Sequence, residues 1–150
     1  MPTIDSISTV VYRLPLHGQL RWGKHSVLSE LRHVLVQVRL SDGATGSAEA
    51  PPRPTIYGET PLSVTSIIRD ELAPRLIGNS AEDLSPLHQI KNNHTAKGAI
   101  DMAVQDALAQ SQSISLMDRL LNLSNQTGQT AATHLRVSYI LGIGDDDTVL

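Results

Sequence analysis

The stretch NNHTAKGAIDMAVQDALAQ, Asn92 to Gln110, carries the clearest structural pattern of the 150-residue chain. From about Thr95 to Gln110, apolar residues recur at spacings of three and four, which is typical of one face of an α-helix. That face consists of Ala96, Ala99, Ile100, Ala103, Val104, Ala107 and Leu108. Because most of these residues are alanines, we predict a buried helix against which a neighbouring element packs closely. Lys97 and Asp101, four residues apart, predict an ion pair on another face.

The segments upstream of this helix predict three antiparallel strands. Ile7 to Leu14 is rich in β-branched residues and ends at a proline, and Leu31 to Leu40 alternates apolar and polar side chains. Ser41-Asp42-Gly43 is a turn signal, after which Ala44 to Ala50 returns as a short strand of small residues. The pattern predicts an antiparallel meander, with a loop over Leu16 to Leu28 between its first two strands.

Prolines and capping residues predict the other helices. Pro51 to Pro54 stops regular structure, and Thr60-Pro61 starts a helix with an N-cap hydroxyl and a proline at the first helical position. That helix is predicted to end at Pro74. Ser80 to Asp83 resembles a capping box that opens a second, short helix, and Leu116 to Leu121 predicts a further short one.

The end of the chain predicts a change of domain. Asn122 to Thr133 is polar and small, which is typical of a linker, and Leu135 to Ile143 has the composition of a buried strand that needs partners on both sides. We therefore expect a domain over residues 1–122, a linker over 123–134 and the start of a second domain over 135–150. The chain is expected to be a fragment.

Composition argues against several functions. Twelve Lys and Arg against fifteen Asp and Glu give a net charge of −3, which argues against a nucleic-acid partner. The absence of cysteine removes disulfides, thiolate catalysis and Cys-ligated zinc. There is no apolar run that could span a bilayer and no secretory signal, so a cytoplasmic protein without a membrane partner is expected. The six histidines lack zinc-site spacing and are expected at the surface or in loops.

Four segments resemble the mandelate racemase and muconate-lactonizing branch of the enolase superfamily. They are SDGATGSAEAPP (Ser41 to Pro52), RPTIYGETP (Arg53 to Pro61), NNHTAKGAIDMAVQDALAQ (Asn92 to Gln110) and VSYILGIGDDDTVL (Val137 to Leu150). The resemblance implies an α+β fold in which a three-stranded antiparallel meander is followed by a helical bundle, as in the N-terminal domain of enolase. The first strand of a truncated (β/α) barrel would then follow.

The resemblance also implies a function. It implies the capping domain of a magnesium-dependent racemase, epimerase or cycloisomerase that abstracts a proton α to a carboxylate. In that branch the base and the metal ligands lie on later barrel strands, so no residue of this chain is implied to be catalytic or to bind Mg²⁺. The isolated fragment is expected to be inactive and to hold no cofactor. The full-length protein is implied to be an isomerase or lyase that acts on a small carboxylate substrate and forms a homo-oligomer.

Two loops are implied to reach the active site and to shape substrate preference. The first is Leu16 to Leu28, with Trp22 and His25, and the second is Pro51 to Thr60, with Ile56 and Tyr57. These four side chains are the predicted substrate-binding residues. The alternative, that Trp22 and Tyr57 only anchor their own loops, stays open.

Two other functions remain as alternatives. Leu84 to Lys91 is shorter than is usual in the family, and Asn122 to Asn125 stands where the family has Gly-Gly. Both departures favour a self-sufficient binding or interaction module whose last strand completes its own sheet. Pairing of Leu135 to Ile143 within the meander would support that module, whereas an exposed apolar face would support truncation. The third reading is a small enzyme that uses the histidines.

Overall fold

The computed structural model describes residues 1–22, 26–124, 134, 136 and 137. Three strands, β1 (Ile4–Trp22), β2 (Ser26–Leu40) and β3 (Thr45–Ala50), form one antiparallel sheet in the order β1-β2-β3. The helices are α1 (Pro54–Tyr57), α2 (Pro61–Ile67), α3 (Ala73–Leu76), α4 (His94–Ser111) and α5 (Leu116–Leu123). A π-helical turn, Ile68–Leu72, joins α2 to α3, and a 3₁₀ helix, Ser85–Gln89, precedes α4. The predicted meander followed by helices is confirmed.

The chain divides into two compact units, Met1–Tyr12 with Arg32–Ala131, and Arg13–Leu31 with Ala132–Leu150. The first unit holds all the described helices and the hydrophobic core. In the second, the described parts of β1 and β2 expose most of their side chains, including Leu14, Leu20 and Val27. Apart from residues 136 and 137, the predicted strand Leu135 to Ile143 lies outside the described residues, so its barrel identity and the domain boundaries stay predictions.

The core of the first unit lies between the sheet and α4. On β2 the side chains of Val34, Val36, Val38 and Leu40 are buried, as the alternation predicts. β3 pairs with β2 in a register that runs from Val34↔Ala50 to Arg39↔Thr45, and it packs directly on α4. All seven residues of the predicted apolar face of α4 are buried. In the described part of the chain, no helix combines the length and the hydropathy needed to cross a membrane.

β3 and α4 approach each other most closely at Gly46. A Cβ atom built on Gly46 would lie 2.1 Å from the carbonyl oxygen of Ala103 and 2.2 Å from the amide nitrogen of Ala107. At the open edge of β3, the Ser47 N–H donates a hydrogen bond of 2.9 Å to Oδ2 of Asp106. The alanine-rich face of α4 therefore has the close neighbour that the sequence predicts.

The predicted loop between the first two strands is wrong. β1 continues through Pro15 and Gly18 to Trp22, and β2 begins at Ser26, so most of Leu16 to Leu28 is strand. A proline is tolerated here because β1 is an edge strand. On its outer side there is no neighbouring strand to which a backbone N–H would have to donate. Gly18 has a φ of 83°, a left-handed conformation that lets the strand bend where other residues would be strained.

The helix that starts at Thr60 is predicted correctly at its beginning and wrongly at its end. Thr60 Oγ1 accepts the Ser63 N–H at 3.1 Å, and Ser63 Oγ accepts the Thr60 N–H at 2.8 Å, which completes a capping box. The helical path continues through Pro74 because a π-helical turn precedes it, in which the Ala73 N–H donates to the Ile68 carbonyl. That wider turn relieves the steric conflict that a proline ring causes in a regular α-helix.

Two local predictions downstream are also wrong. No helix opens at Ser80, because Ser80 forms an antiparallel bridge with Thr3 and the 3₁₀ helix begins only at Ser85. Lys97 and Asp101 do not form the expected ion pair. Lys97 Nζ donates to the Ile90 carbonyl, and Asp101 accepts a 3.3 Å hydrogen bond from Gln105. The lysine therefore ties α4 to the segment that precedes it.

Candidate functional site

A cavity of about 430 Å³ lies in the first unit, between the end of β3, α1 and the N-terminal half of α4. We call it the Glu59 cavity. Its lining combines acidic, apolar and aromatic side chains, among them Glu49, Glu59, Pro51, Tyr57, His94 and Met102. None of its described lining residues is a lysine or an arginine. The cavity therefore presents negative charge beside apolar surface.

The connection between β3 and α2 brings Tyr57 and Glu59 to the cavity. α1 (Pro54–Tyr57) is a single turn with Gly58 as its C-cap, and the φ of 74° at Gly58 is the left-handed conformation that glycine adopts most readily. The Gly58 N–H donates to the Pro54 carbonyl at 3.2 Å. Because the capping box of α2 follows at Thr60, Glu59 is held between two helices with defined ends.

Glu59 is 9% exposed and links the cavity to the N-terminus of α4. Its Oε1 accepts the Thr95 N–H at 3.3 Å, so it caps a helix whose own N-cap residue, Asn93, makes no side-chain cap bond in the described structure. A negative charge at a helix N-terminus is favourable. The other oxygen, Oε2, is buried and has no hydrogen-bond partner among the described residues. A buried acceptor without a partner is costly, so Glu59 Oε2 is an unfavourable feature of this part of the fold.

Glu49 connects the cavity to a buried group on the sheet. Glu49 pairs with Leu35 across β2 and β3, which makes His33 its diagonal neighbour on the same face. His33 Nδ1 lies 3.0 Å from Glu49 Oε2, and the rings of His33 and Tyr12 pack edge to face with centroids 6.1 Å apart. Contrary to the expected surface role of the histidines, His33 is buried, because Tyr12 and Glu49 cover it from the two neighbouring strands.

The surroundings of Glu49 and Tyr12 shift the pKa values of these two groups in opposite directions. The nearby Tyr12 hydroxyl and the hydrogen bond with His33 lower the pKa of Glu49. Burial, together with the neighbouring Glu49 carboxylate, raises the pKa of Tyr12 to about 12. The Tyr12 hydroxyl is close enough to Glu49 for this effect, although it forms no hydrogen bond of standard geometry with any described residue. The folded state thus favours a neutral phenol beside an ionised carboxylate.

We expect Tyr12 to ionise near pH 12 rather than near the ordinary value of 10. Because its pKa in the folded state is raised, its contribution to stability is complete below pH 10 and is lost as the pH rises through 12. Tyrosinate absorbance, followed during an alkaline titration, measures this step. The Tyr12→Phe variant should lack it, and a wild-type titration in which that same step occurs near pH 10 would contradict the prediction.

The structure describes the side chains of two of the four predicted substrate-binding residues. Ile56 and Tyr57, on α1, are 62% and 58% exposed, and Tyr57 lines the Glu59 cavity, whereas Ile56 is not among the described lining residues. Trp22 is the last residue of β1 rather than a loop residue, and His25 lies outside the described residues. The substrate-binding role of all four stays a prediction.

The described residues do not form a metal centre. Within 1–22, 26–124, 134, 136 and 137, no group of three or more His, Asp or Glu side chains is placed to hold a metal ion. This part of the chain therefore does not fit the Mg²⁺ that the family resemblance implies. The chemistry available at the Glu59 cavity is recognition by charge, hydrogen bonding and apolar contact.

Sequence reasoning missed Glu59 and the group formed by Tyr12, His33 and Glu49. The signal for Glu59 was an acidic residue placed directly before the Thr60-Pro61 helix start, but its partner Thr95 is 36 residues away. The signal for His33 was a histidine on the polar face of an otherwise regular strand. In both cases the partner lies on another element, and the sequence pattern does not say which elements meet.

Known proteins are similar to this chain over most of its length. The family model for the N-terminal domain of mandelate racemase and muconate lactonizing enzymes matches residues 7–121. The chain is 30% identical over 149 residues to a chloromuconate cycloisomerase of Pseudomonas sp. strain P51, a match that covers 95% of this chain and 38% of that protein. It is 30% identical over 121 residues to an L-amino acid-D/L-Glu epimerase of Francisella philomiragia, which covers 77% of this chain and 34% of that protein.

A solved structure shows the same fold. The muconate lactonizing enzyme from Mycobacterium smegmatis, complexed with muconolactone, matches with a TM-score of 0.74 at 38% sequence identity. The match covers 79% of this chain and 33% of that chain. The 150 residues therefore span less than two fifths of the length of these relatives.

Proposed function

The chain belongs to the mandelate racemase and muconate lactonizing enzyme family of the enolase superfamily, as its N-terminal domain. From this premise we propose that it is the capping, substrate-specificity domain of a racemase, epimerase or cycloisomerase that abstracts a proton α to a carboxylate. The full-length enzyme would act on a small carboxylate substrate as a cytoplasmic homo-oligomer. The 150 residues alone would have no activity.

The observation that carries the proposal is the exposure of Ile56 and Tyr57 on a turn whose backbone is well defined. α1 is closed by the bond from the Gly58 N–H to the Pro54 carbonyl and is followed directly by a capped helix. Exposed large side chains on a short, hydrogen-bonded connection are suited to contact a ligand or a second domain. Trp22 and His25 are proposed to contribute a second contact from the β1–β2 connection.

In the proposed enzyme these side chains act on the part of the substrate that does not react. They hold the distal end of the carboxylate substrate and exclude water from the reacting carbon. When bound in the full-length enzyme, Mg²⁺ would stabilise negative charge that develops on the substrate. The described residues supply no ligands for it, so the contribution of this chain is binding, orientation and exclusion of water.

A chimera tests the proposal directly. Residues 1–124 are joined to the part of the Mycobacterium smegmatis muconate lactonizing enzyme that follows the matched segment. With Mg²⁺ in heavy water, the chimera is expected to exchange the α-proton of at least one member of a panel of carboxylates and N-acylated or dipeptide amino acids. The 150-residue chain alone is expected to exchange none. Exchange by the chain alone, or a folded chimera that exchanges nothing, would contradict the capping role.

The chimera also tests Tyr57. We expect Tyr57→Ala to raise KM for the exchanged substrate by roughly tenfold, the loss expected for about 1.4 kcal/mol of contact. Leu62→Ala is the matched control, because Leu62 is 76% exposed on α2 and does not line the Glu59 cavity in the described structure. Steady-state kinetics on both variants measure the difference. Equal KM values for the two variants would remove Tyr57 from the proposed lid.

A further inference from the structure

We propose that two copies of this chain pair antiparallel through the outer edge of β1, with Thr9 of one copy opposite Thr9 of the other. The three-stranded sheet of each copy would then continue across a two-fold axis into that of its partner. The inference goes beyond the proposed function, which includes a homo-oligomer of the full-length enzyme but no contact surface. It is argued from β1 and the helices beside it and needs no catalytic activity.

The outer side of β1 is covered at its start and open further along. The Ile4 N–H donates to the Asn79 carbonyl at 3.0 Å, and the Gly78 N–H donates to the Ile4 carbonyl at 2.8 Å. Over residues 6–12, no strand of the described part of the chain lies on that side. The backbone groups that point outward there are free to pair with a further strand.

This open segment lacks the features that usually prevent such pairing. Ser6 to Tyr12 (SISTVVY) contains no charged residue, no proline and no glycine. Val10 and Val11 are 59% and 49% exposed. Natural proteins commonly place lysine or proline on an edge strand, because an exposed apolar edge is a template for another strand. Here the first proline is Pro15, beyond the open segment.

Charge complementarity selects both the partner and the register. An antiparallel pair centred on Thr9 places Asp5 of each copy opposite Arg13 of the other, because both residues lie four positions from Thr9. Opposite charges that face each other across two strands are favourable, whereas like charges are not. The Asp5 side chain is 61% exposed and lies 4.0 Å from Arg39, so its carboxylate has room for a second partner. The two-fold axis forms this contact twice and closes the assembly at two copies.

A cavity of about 350 Å³ lies against the same part of β1. Ile7 and Thr9 line it from the strand, and Ile68 and Ile77 are among the residues that line it from the helical side. In the proposed register Val11 of the second copy lies opposite Ile7, and opposite residues of an antiparallel pair share one face of the sheet. The added strand would therefore bring an apolar side chain to this cavity. Such side-chain contacts give specificity to pairing along a strand edge.

Sedimentation equilibrium of the 150-residue chain over a series of concentrations measures the association. We expect a dimer whose population rises with concentration. Val10→Lys puts a charge on the edge in both copies and should weaken dimerisation at least about tenfold. Leu120→Lys is the matched control, because Leu120 is 47% exposed on α5 and lies outside the proposed interface. A chain that stays monomeric, or equal losses in the two variants, would overturn the proposal.

A charge swap tests the register. Asp5→Lys and Arg13→Glu each place like charges opposite each other, so each variant alone should dimerise more weakly than the wild type. An equimolar mixture of the two variants should restore the dimer. In the mixed dimer the introduced lysine faces the introduced glutamate, and the remaining Arg13 faces the remaining Asp5. A mixture that associates no more tightly than its separate components would contradict this pairing.

The chain contains no cysteine, so a single introduced thiol reports which residues meet across the two-fold axis. Opposite residues of an antiparallel pair have Cα atoms roughly 4.5–5.5 Å apart, a separation that a disulfide spans. Thr9→Cys is therefore expected to form a covalent dimer under mild oxidation. Ser8→Cys is the control, because Ser8 lies opposite Val10 and the two thiols would be displaced by two residues along the strands. Equal cross-linking of the two variants on a non-reducing gel would show that Thr9 is not at the axis.

The two proposals fail in distinguishable ways. If the chain dimerises through β1 but the chimera exchanges no substrate, the interface stands and the capping role fails. If the chimera exchanges a substrate but the 150-residue chain stays monomeric, the capping role stands and the β1 interface is wrong.

Discussion

Gly46→Ala is expected to lower the free energy of unfolding by at least about 3 kcal/mol, the upper end of the usual cost of overpacking. The added Cβ would lie 2.1 Å from the Ala103 carbonyl oxygen and 2.2 Å from the Ala107 nitrogen, and both are backbone atoms of α4. A side chain could rotate away from such a contact, but a helix backbone cannot. β3 and α4 would have to separate, which would loosen the core between them. Urea unfolding followed by circular dichroism measures the loss.

Gly98→Ala provides the control within the same helix. Apart from its two chain neighbours and the backbone of α4 itself, no described atom lies within 4 Å of the position where its Cβ would be placed. Because alanine restricts the unfolded chain and favours a helix, this variant is expected to be more stable by up to about 1 kcal/mol. The same chemical change should therefore have opposite signs at two glycines. A Gly46→Ala variant as stable as the wild type would show that β3 and α4 are not in close contact.

The sequence predicts well those helices and strands whose pattern of apolar or capping residues lies within the element itself. The apolar positions of α4 and the alternation of β2 follow from the 3.6-residue and two-residue periods alone. The Thr60 cap of α2 is equally local, because donor and acceptor lie within three residues of each other. In each case a buried face or a cap is encoded without reference to any distant residue.

The errors share a different cause, which is that a distant partner decides the outcome. β1 continues past Pro15 because it is an outer strand, a property of the sheet and not of the segment. Lys97 turns from Asp101 to the carbonyl of Ile90, which the chain brings to the start of α4. Ser80 forms a bridge with Thr3, 77 residues earlier, instead of opening a helix. Local propensity is a weak preference that such tertiary contacts override.

The candidate site follows the same division. Tyr57 could be proposed from the sequence, because it lies between a proline and a glycine in one of the segments that resemble the family. Glu59 could not, since its role depends on the N-terminus of α4. α4 therefore has two functions in this architecture: its alanine face fixes the sheet through Gly46, and its N-terminus holds the carboxylate of the Glu59 cavity. A change that shifts α4 should therefore alter both the packing of the core and the position of the Glu59 carboxylate.

Arg119 is expected to stabilise α5 by an amount far larger than an exposed ion pair would. Its side chain is 6% exposed, and its Nη2 donates to Glu82 Oε2 at 2.8 Å while its Nε donates to Gln105 Oε1 at 2.7 Å. The guanidinium thus joins α5 both to α4 and to the segment before the 3₁₀ helix. Glu82 is one third exposed, so it can regain water when its partner is removed. Because of that hydration, we expect the removal of Arg119 to destabilise the fold by less than the roughly 3–5 kcal/mol lost when one partner of a fully buried pair is removed.

We therefore expect Arg119→Met, which keeps a long apolar stem, to lower the free energy of unfolding by about 2–3 kcal/mol. Arg75→Met is the matched control, because Arg75 forms a 2.7 Å ion pair with Glu71 in which the two side chains are 36% and 45% exposed. A solvent-accessible pair at this spacing contributes only about 0.3–0.5 kcal/mol. Urea unfolding measures both, and amide exchange should show α5 opening before the rest of the fold in Arg119→Met. Equal losses in the two variants would mean that burial adds nothing to the Arg119 contacts.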